Sequence, residues 1–292
     1  VTYGEGGVWS RAEWNQVGRA SDGIRLHAVP LDGLEIDALA SKYTNFPTIA
    51  NTPTPAYGFD SYSSALIVQL KPELLAPVLK EADVYALRDY RTTLNNFDGP
   101  DRDRITAFGT RLTGKWSLVD AKLEVVGQVG DNCTLELAGD QSTSCLGDEV
   151  RRRGFMGETE LGFALIDTLR LELGGIYASG DDEATDDIIE AYDPLYAAAH
   201  RHLGLADVFR RTDIFQARGG VTFNNKVWMF DAMVHHFWDA GIDPRGLEVD
   251  LTLAYTFPEK LKLQAGFSHL FPTTSDQMAV TWGYIQANAA FK

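Results

Sequence analysis

Few residues in this sequence are placed to do chemistry. His200-Arg201-His202 sets two imidazoles about one guanidinium, a pair that could hold a metal ion, yet the segment around it is polar and reads first as a solvated loop. His235 and His236 are neighbours. In a strand, successive side chains point to opposite faces, so these two cannot chelate together and only His235 reaches the charged side of its segment. Asp181, Asp182, Glu183, Asp186 and Asp187 crowd carboxylates into one loop, but without the ligand spacing of a calcium loop, so they read as a solvated acidic surface. No serine stands beside a base in a recognisable nucleophile context. The two cysteines, Cys133 and Cys145, lie in a polar segment with no C-x-x-C or zinc spacing. A disulfide between them is expected, and it implies an oxidising compartment. The sequence therefore points to no catalytic residue, no metal and no cofactor, and the protein is expected not to be an enzyme.

What positions these residues is a repeating pattern. Alternating segments of roughly ten to fourteen residues recur from end to end, paired across very short turns and separated by longer polar loops. Asp22–Leu31 meets Leu34–Tyr43 across Asp32-Gly33, and Ile105–Trp116 meets Ala121–Gly130 across Ser117 to Asp120. Phe155–Ile166 meets Leu169–Gly180 across Asp167-Thr168. Asp213–Phe223 meets Lys226–Trp238 across Asn224-Asn225, and Gly246–Phe257 meets Lys260–Phe271 across Pro258-Glu259. Ser61–Lys71 and Ala82–Thr92 form a pair with a looser connection, and Met278–Phe291 is a final strand. The chain has 292 residues and a net charge of -15, which disfavours nucleic acid as a partner. No apolar run approaches the roughly 20 residues of a membrane-spanning helix. No secretory signal is visible, and a chain opening Val1-Thr2-Tyr3 reads as processed or truncated.

Two architectures fit such a rhythm. One is a soluble antiparallel sandwich with a wet outer face. The other is an antiparallel up-and-down transmembrane β-barrel, all-β, with about 14 strands in this chain. Strand length, alternating short and long connections, and aromatics near strand ends (Trp116, Tyr177, Trp228, Trp238, Tyr255, Phe257, Phe271) favour the barrel. Leu169, Leu171, Leu173 and Tyr177 then face lipid, and Arg170 and Glu172 face a wet lumen, where charge costs little. The same split assigns Arg25, Glu35, Asp37, Arg111, Lys115, Lys122, Glu124, Glu158, Glu160, Arg218, Asp231, His235, Glu248, Asp250 and Lys262 to the pore lining.

At the residue level the chain resembles the bacterial alginate-export outer-membrane family. Tyr177, Gly180 and Asp181 at a strand end match a family motif. So do Pro194, Leu195, Tyr196, His200, Gly204, Ala206 and Asp207 in the loop after it, and His235 or His236, Phe237 and Trp238 at a later strand end. Near the start, Tyr3, Gly4, Trp14, Asn15, Gly18, Arg19, Asp22, Gly23, Arg25 and Leu26 match a strand–loop–strand of the family. The resemblance implies an integral barrel of the bacterial outer membrane. It further implies about 18 strands in the complete protein, so that residues 1–292 are expected to form one barrel domain lacking its N-terminal strands, Val1 to Gly7 being the remnant of one; the alternative is a smaller, closed relative.

The resemblance implies a channel more firmly than it implies alginate. The family's exporter has an Arg-rich lumen suited to a polyuronate, whereas the lining above mixes both signs. The expected function is a porin that passes hydrophilic solutes passively or with weak selectivity. Alternatives are a dedicated polysaccharide or organic-acid transporter and a structural or enzymatic barrel. Expected partners are outer-membrane lipid and lipopolysaccharide, with small hydrophilic solutes or polysaccharide as cargo. The long loop 180–212 carries Ile188, Ile189, Tyr192, Leu195, Leu203 and Phe209, apolar residues that need a place to bury, and Tyr196–Phe209 has the Ala-rich look of a short helix stopped near Gly204. The loop is expected to fold into the barrel mouth as a constriction. There it presents His200, Arg201, His202, Arg210 and Arg211 beside Asp181, Asp182 and Asp207.

Overall fold

The computed structural model describes residues 22–45, 59–75, 77–95, 99–134, 149–182, 187–195, 202–258, 261–273 and 278–289. Within them the chain is almost wholly strand. The elements are β1 (Asp22–Leu31), β2 (Leu34–Asn45), β3 (Phe59–Leu70), β4 (Leu79–Asn95), β5 (Gly99–Trp116), β6 (Val119–Thr134), β7 (Val150–Ile166) and β8 (Leu169–Ala178). They continue as β9 (Ile188–Ile189), β10 (Ile214–Asn224), β11 (Trp228–Trp238), β12 (Pro244–Thr256), β13 (Leu261–Pro272) and β14 (Val280–Ala289). All but β9 pair with their sequence neighbours, antiparallel, in one sheet; β9 instead pairs parallel to β7. This is the expected all-β, up-and-down order. The Val1 to Gly7 remnant lies outside the described residues.

Which face is buried settles the choice between sandwich and barrel. On β12, Glu248 and Asp250 are 0% and 4% exposed, while Leu251 and Leu253 are 39% and 49% exposed. On β8, Leu171 and Leu173 are likewise open, whereas Ile176 and Ala178 are buried on the face that carries Arg170 and Glu172. A water-soluble sandwich buries its leucines and exposes its carboxylates. Here the polar face is inside and the apolar face outside, which is stable only with hydrocarbon as the outer solvent. Every residue assigned to the pore lining keeps the inner register. The sheet curls around that inner face, because one loop reaches side chains from β4 to β12 on it.

Aromatic contacts mark both rims of the apolar band. At the tight-turn end Trp228 packs on Tyr255 (4.7 Å) and Tyr255 on Phe257 (4.6 Å). At the long-loop end Phe215 stacks on Trp238 (5.2 Å) and Phe155 lies near Tyr177 (6.4 Å). Trp228 and Trp238 are ten positions apart. At about 3.3 Å per residue and a tilt of about 40°, that spans about 25 Å, the height of the apolar band of such barrels. The first tight turn depends on Gly33 at φ +82, a conformation open to glycine at no steric cost.

β4 to β7, at 16 to 18 residues, outrun the expected ten to fourteen. Their extra length lies at the long-loop end and is polar. There Arg104 donates to Asp131 (2.6 Å), Arg102 to Glu149 (2.6 Å) and Asn132 to Asp103 (2.6 Å). Charged cross-strand pairs keep the ladder going beyond the membrane without any hydrophobic period to announce it. At the top of β6, Cys133 is buried and disulfide-bonded; Cys145, the chain's other cysteine, lies outside the described residues. Closing a loop of this size constrains the unfolded chain by about 3 kcal/mol in the entropy model. Because the bond lies beyond the band, reduction should leave the barrel's heat-modifiable gel migration unchanged. Two free thiols after unfolding without reductant would contradict the bond.

Candidate functional site

The segment between β8 and β10 turns back into the barrel. Ser179 anchors it. Its backbone carbonyl accepts from the N–H groups of both Tyr192 (3.0 Å) and Asp213 (3.0 Å), and its hydroxyl donates to the Glu190 carbonyl (2.7 Å). β9 adds to β7, with Arg151 opposite Ile188. Beyond it Asp193 reaches the wall: its N–H donates to Gln128 Oε1 (2.9 Å), its carbonyl accepts from Gln128 Nε2 (2.7 Å), and its carboxylate accepts from Arg91 Nη2 (2.6 Å). Tyr192, 1% exposed, is packed beneath.

The returning arm binds the opposite side of the lining. The N–H groups of Leu205 and Ala206 donate to Asp250 Oδ2 (2.9 Å) and Glu248 Oε1 (2.9 Å). Ser268 donates to the same Glu248 oxygen (2.8 Å). Gly204 makes this approach possible: it sits at φ +90, and a Cβ there would lie 2.3 Å from Glu248 Oε1. Leu203 is buried, and Phe209 packs on Phe237 (4.6 Å). The Ala-rich stretch 196–201, where a short helix is expected, lies outside the described residues; residues 202–209, around and beyond its expected stop at Gly204, are not helical, and the N–H groups of Leu205 and Ala206 bond to wall carboxylates.

At the centre stands Glu158, fully buried. It accepts from His202 Nδ1 (2.7 Å) and Arg211 Nη2 (3.1 Å), with Arg218 at 3.5 Å and Lys122 at 3.9 Å. Gln216 and Arg218 hold the His202 carbonyl (2.9 and 3.4 Å). The network continues towards the tight turns: Arg218 meets Glu160 (3.0 Å), and Arg170 meets Glu172 (2.5 Å), Asp120 (2.6 Å) and Glu160 (3.3 Å). Elsewhere Arg25 pairs with Asp37 (2.7 Å), Arg111 with Glu81 (2.5 Å) and Asp83 (3.0 Å), and His235 with Asp250 (3.2 Å). Tyr85 donates to Glu124 (2.8 Å). Glu35, Lys115, Asp231 and Lys262 lie on the same face nearer the tight turns, with Thr222 donating to Asp231 (2.5 Å).

The loop residues divide. His202 and Arg211 are buried on Glu158, Asp207 is half-buried, and Asp181, Asp182 and Arg210 are exposed; His200 and Arg201 lie outside the described residues. The expected positive group is therefore not displayed as a set, because two of its members are neutralised against the wall. Among the described residues no group of three or more His, Cys, Asp or Glu could hold a metal ion. Asp83, Asp89, Arg91 and Asp120 were not among the expected lining residues, although the first three alternate on β4 in the same period of two. Gln128 and Gln216 carry no charge and gave no such signal.

Burial, then the nearby Arg211, push the His202 imidazole down to about 4 from an ordinary 6.5. A base depressed by docking is protonated in the undocked loop before it is in the docked one. The contribution of His202 to docking is therefore fully present above about pH 6.5 and is lost as pH falls to about 4, on the order of 3 kcal/mol. Limited proteolysis of the loop should accelerate over that window, and His202→Gln should flatten the dependence. Equal cleavage at pH 7 and pH 4 would refute it.

A curled antiparallel sheet, apolar outside and ion-paired inside, with a loop folded onto its inner face, defines an outer-membrane channel or transporter of the β-barrel class. The model of the alginate-export family matches residues 5–245, and the chain belongs to that family; it is an integral protein of the bacterial outer membrane. No curated protein matches the chain in sequence. Among solved structures it is similar to the copper transporter OprC, at 11% identity and a TM-score of 0.45, over 88% of this chain and 53% of that one. It is also similar to OccK10 (OpdN) of Pseudomonas aeruginosa, at 10% identity and a TM-score of 0.40, over 95% of each chain. The chain thus spans about half the length of OprC.

Proposed function

We propose that the protein is a diffusion channel for hydrophilic solutes, weakly selective, in which the loop 180–212 narrows the pore, and that it does no catalysis. The carrying observation is the lining itself. Arg111, Arg170, Arg218 and Lys122 each face carboxylates rather than forming an open basic track. A pore that concentrates a polyanion needs unneutralised positive potential along its path. A balanced lining instead wets the lumen and admits small solutes of either sign. The competing reading, export of an alginate-like polyuronate, draws on the family match alone. Planar-bilayer recordings separate the two. The channel reading expects ohmic conductance with small ion preference and no block by oligouronates; block at micromolar oligouronate would favour the exporter.

A further inference from the structure

The outer wall is not uniform. On β8, β10, β11 and β13, and on β12 from Leu247 on, no outward position carries Lys, Arg, Asp or Glu. The outward face of β3 to β7 differs in two ways that coincide.

The first is a groove of about 410 Å³ within the apolar band. Two cross-strand rows line it: Leu66, Ala86, Phe108 and Gly127 in one, and Val68, Val84, Thr110 and Val125 in the row nearer the tight turns. Gly127 makes the dent, since a Cβ there would have nothing within 4 Å.

The second is charge directly above. The next row towards the long loops runs Ser64, Arg88, Thr106, Val129, Arg153. The row after that carries Arg104, Asp131 and Arg151, continuous with Tyr90 and Tyr62, and Lys42 lies over the Tyr62 ring at 5.5 Å. Arg88, Arg151 and Arg153 are exposed and make no ion pair among the described residues. Thr106 and Trp116 are ten positions apart on β5, so the Arg88–Arg153 row stands about 25 Å above the tight-turn rim, at the upper edge of the hydrocarbon.

Unneutralised guanidinium groups at that depth, over an acyl-sized groove, match one kind of molecule. We propose that this face binds a phosphorylated lipid A of the outer leaflet, its phosphates on Arg88, Arg153 and Arg151 and one acyl chain in the groove. Guanidinium favours phosphate through paired, charge-assisted hydrogen bonds. A groove facing lipid must be filled, because an unfilled one forfeits the dispersion contacts of its lining.

Native mass spectrometry of the detergent-purified protein tests this with three probes: diphosphoryl lipid A, the same lipid with both phosphates removed, and dipalmitoyl phosphatidylglycerol. Diphosphoryl lipid A should be retained at least tenfold more strongly than either of the others. The double variant Arg88→Ser/Arg153→Ser should erase the difference. Gly127→Leu, whose Cβ meets nothing within 4 Å, should weaken both lipid A forms, while Lys226→Ser at a tight turn should change nothing. Heat-modifiable migration verifies that each variant is folded, and the phosphate comparison on the unaltered protein decides the matter if the double variant is not. Equal retention of the two lipid A forms, equal retention of phosphatidylglycerol, or an equal loss in Lys226→Ser would overturn the proposal.

Discussion

Deleting Asp186–Val208 should raise single-channel conductance severalfold and weaken whatever ion selectivity the parent shows. The segment occupies the inner face from Arg91 on β4 to Asp250 on β12, and its described apolar side chains Tyr192 and Leu203 are almost fully buried there. Conductance scales with the open cross-section, so removing a segment bound to both sides of the lining must widen the path. Barrel assembly should survive, because the strand ladders β7–β8 and β8–β10 are paired along their length without it. Heat-modifiable migration checks insertion and planar-bilayer recording checks the pore. A deleted channel that inserts normally yet conducts like the parent would mean that this loop is not the constriction.

Glu158→Ala should release the loop without dissolving the barrel. Glu158 is a carboxylate within reach of His202, Arg211, Arg218 and Lys122 together. Removing it leaves buried cationic groups facing each other, and breaking a buried pair in this way costs about 3–5 kcal/mol. The loss falls on the loop, since His202 and Arg211 can leave whereas Lys122 and Arg218 are held in strands. Arg218 also retains Glu160 at 3.0 Å. Tryptic cleavage between β8 and β10 should increase by more than tenfold, with conductance becoming noisy or larger. Glu158→Gln should show a smaller change, because its amide oxygen still accepts from Arg211. Cleavage of Glu158→Ala at the parent's rate would show that the loop is held by Asp193 and the Glu248–Asp250 side instead.

The period of two, and therefore the two faces, was legible in the order of residues alone. Leu171 and Leu173 against Arg170 and Glu172 had one arrangement in a sheet, and the register followed from turns of two residues such as Asp32-Gly33. A side-chain period of two leaves no freedom: a slip by one residue would put every carboxylate into lipid. The membrane-spanning strands and the lining, from Arg25 to Lys262, were legible for that reason. The polar extensions of β4 to β7 were not, because charged pairs such as Arg104–Asp131 have no hydrophobic alternation.

What the lining does with its charges emerges from the folded sheet and not from the alternation. Alternation says that Glu158 and Arg218 point inward, but not that Glu158 lies within reach of a histidine 44 residues away in a loop. Nor could composition show where the returning arm 202–209 meets the wall. Past Gly204 the wall carboxylates Glu248 and Asp250 set the path of the chain by accepting the N–H groups of Ala206 and Leu205. The outward Arg88 and Arg153 were likewise visible singly but became a row only through three cross-strand registers. Periodicity is a local property of the chain, whereas neutralisation and alignment depend on which strand comes to lie beside which.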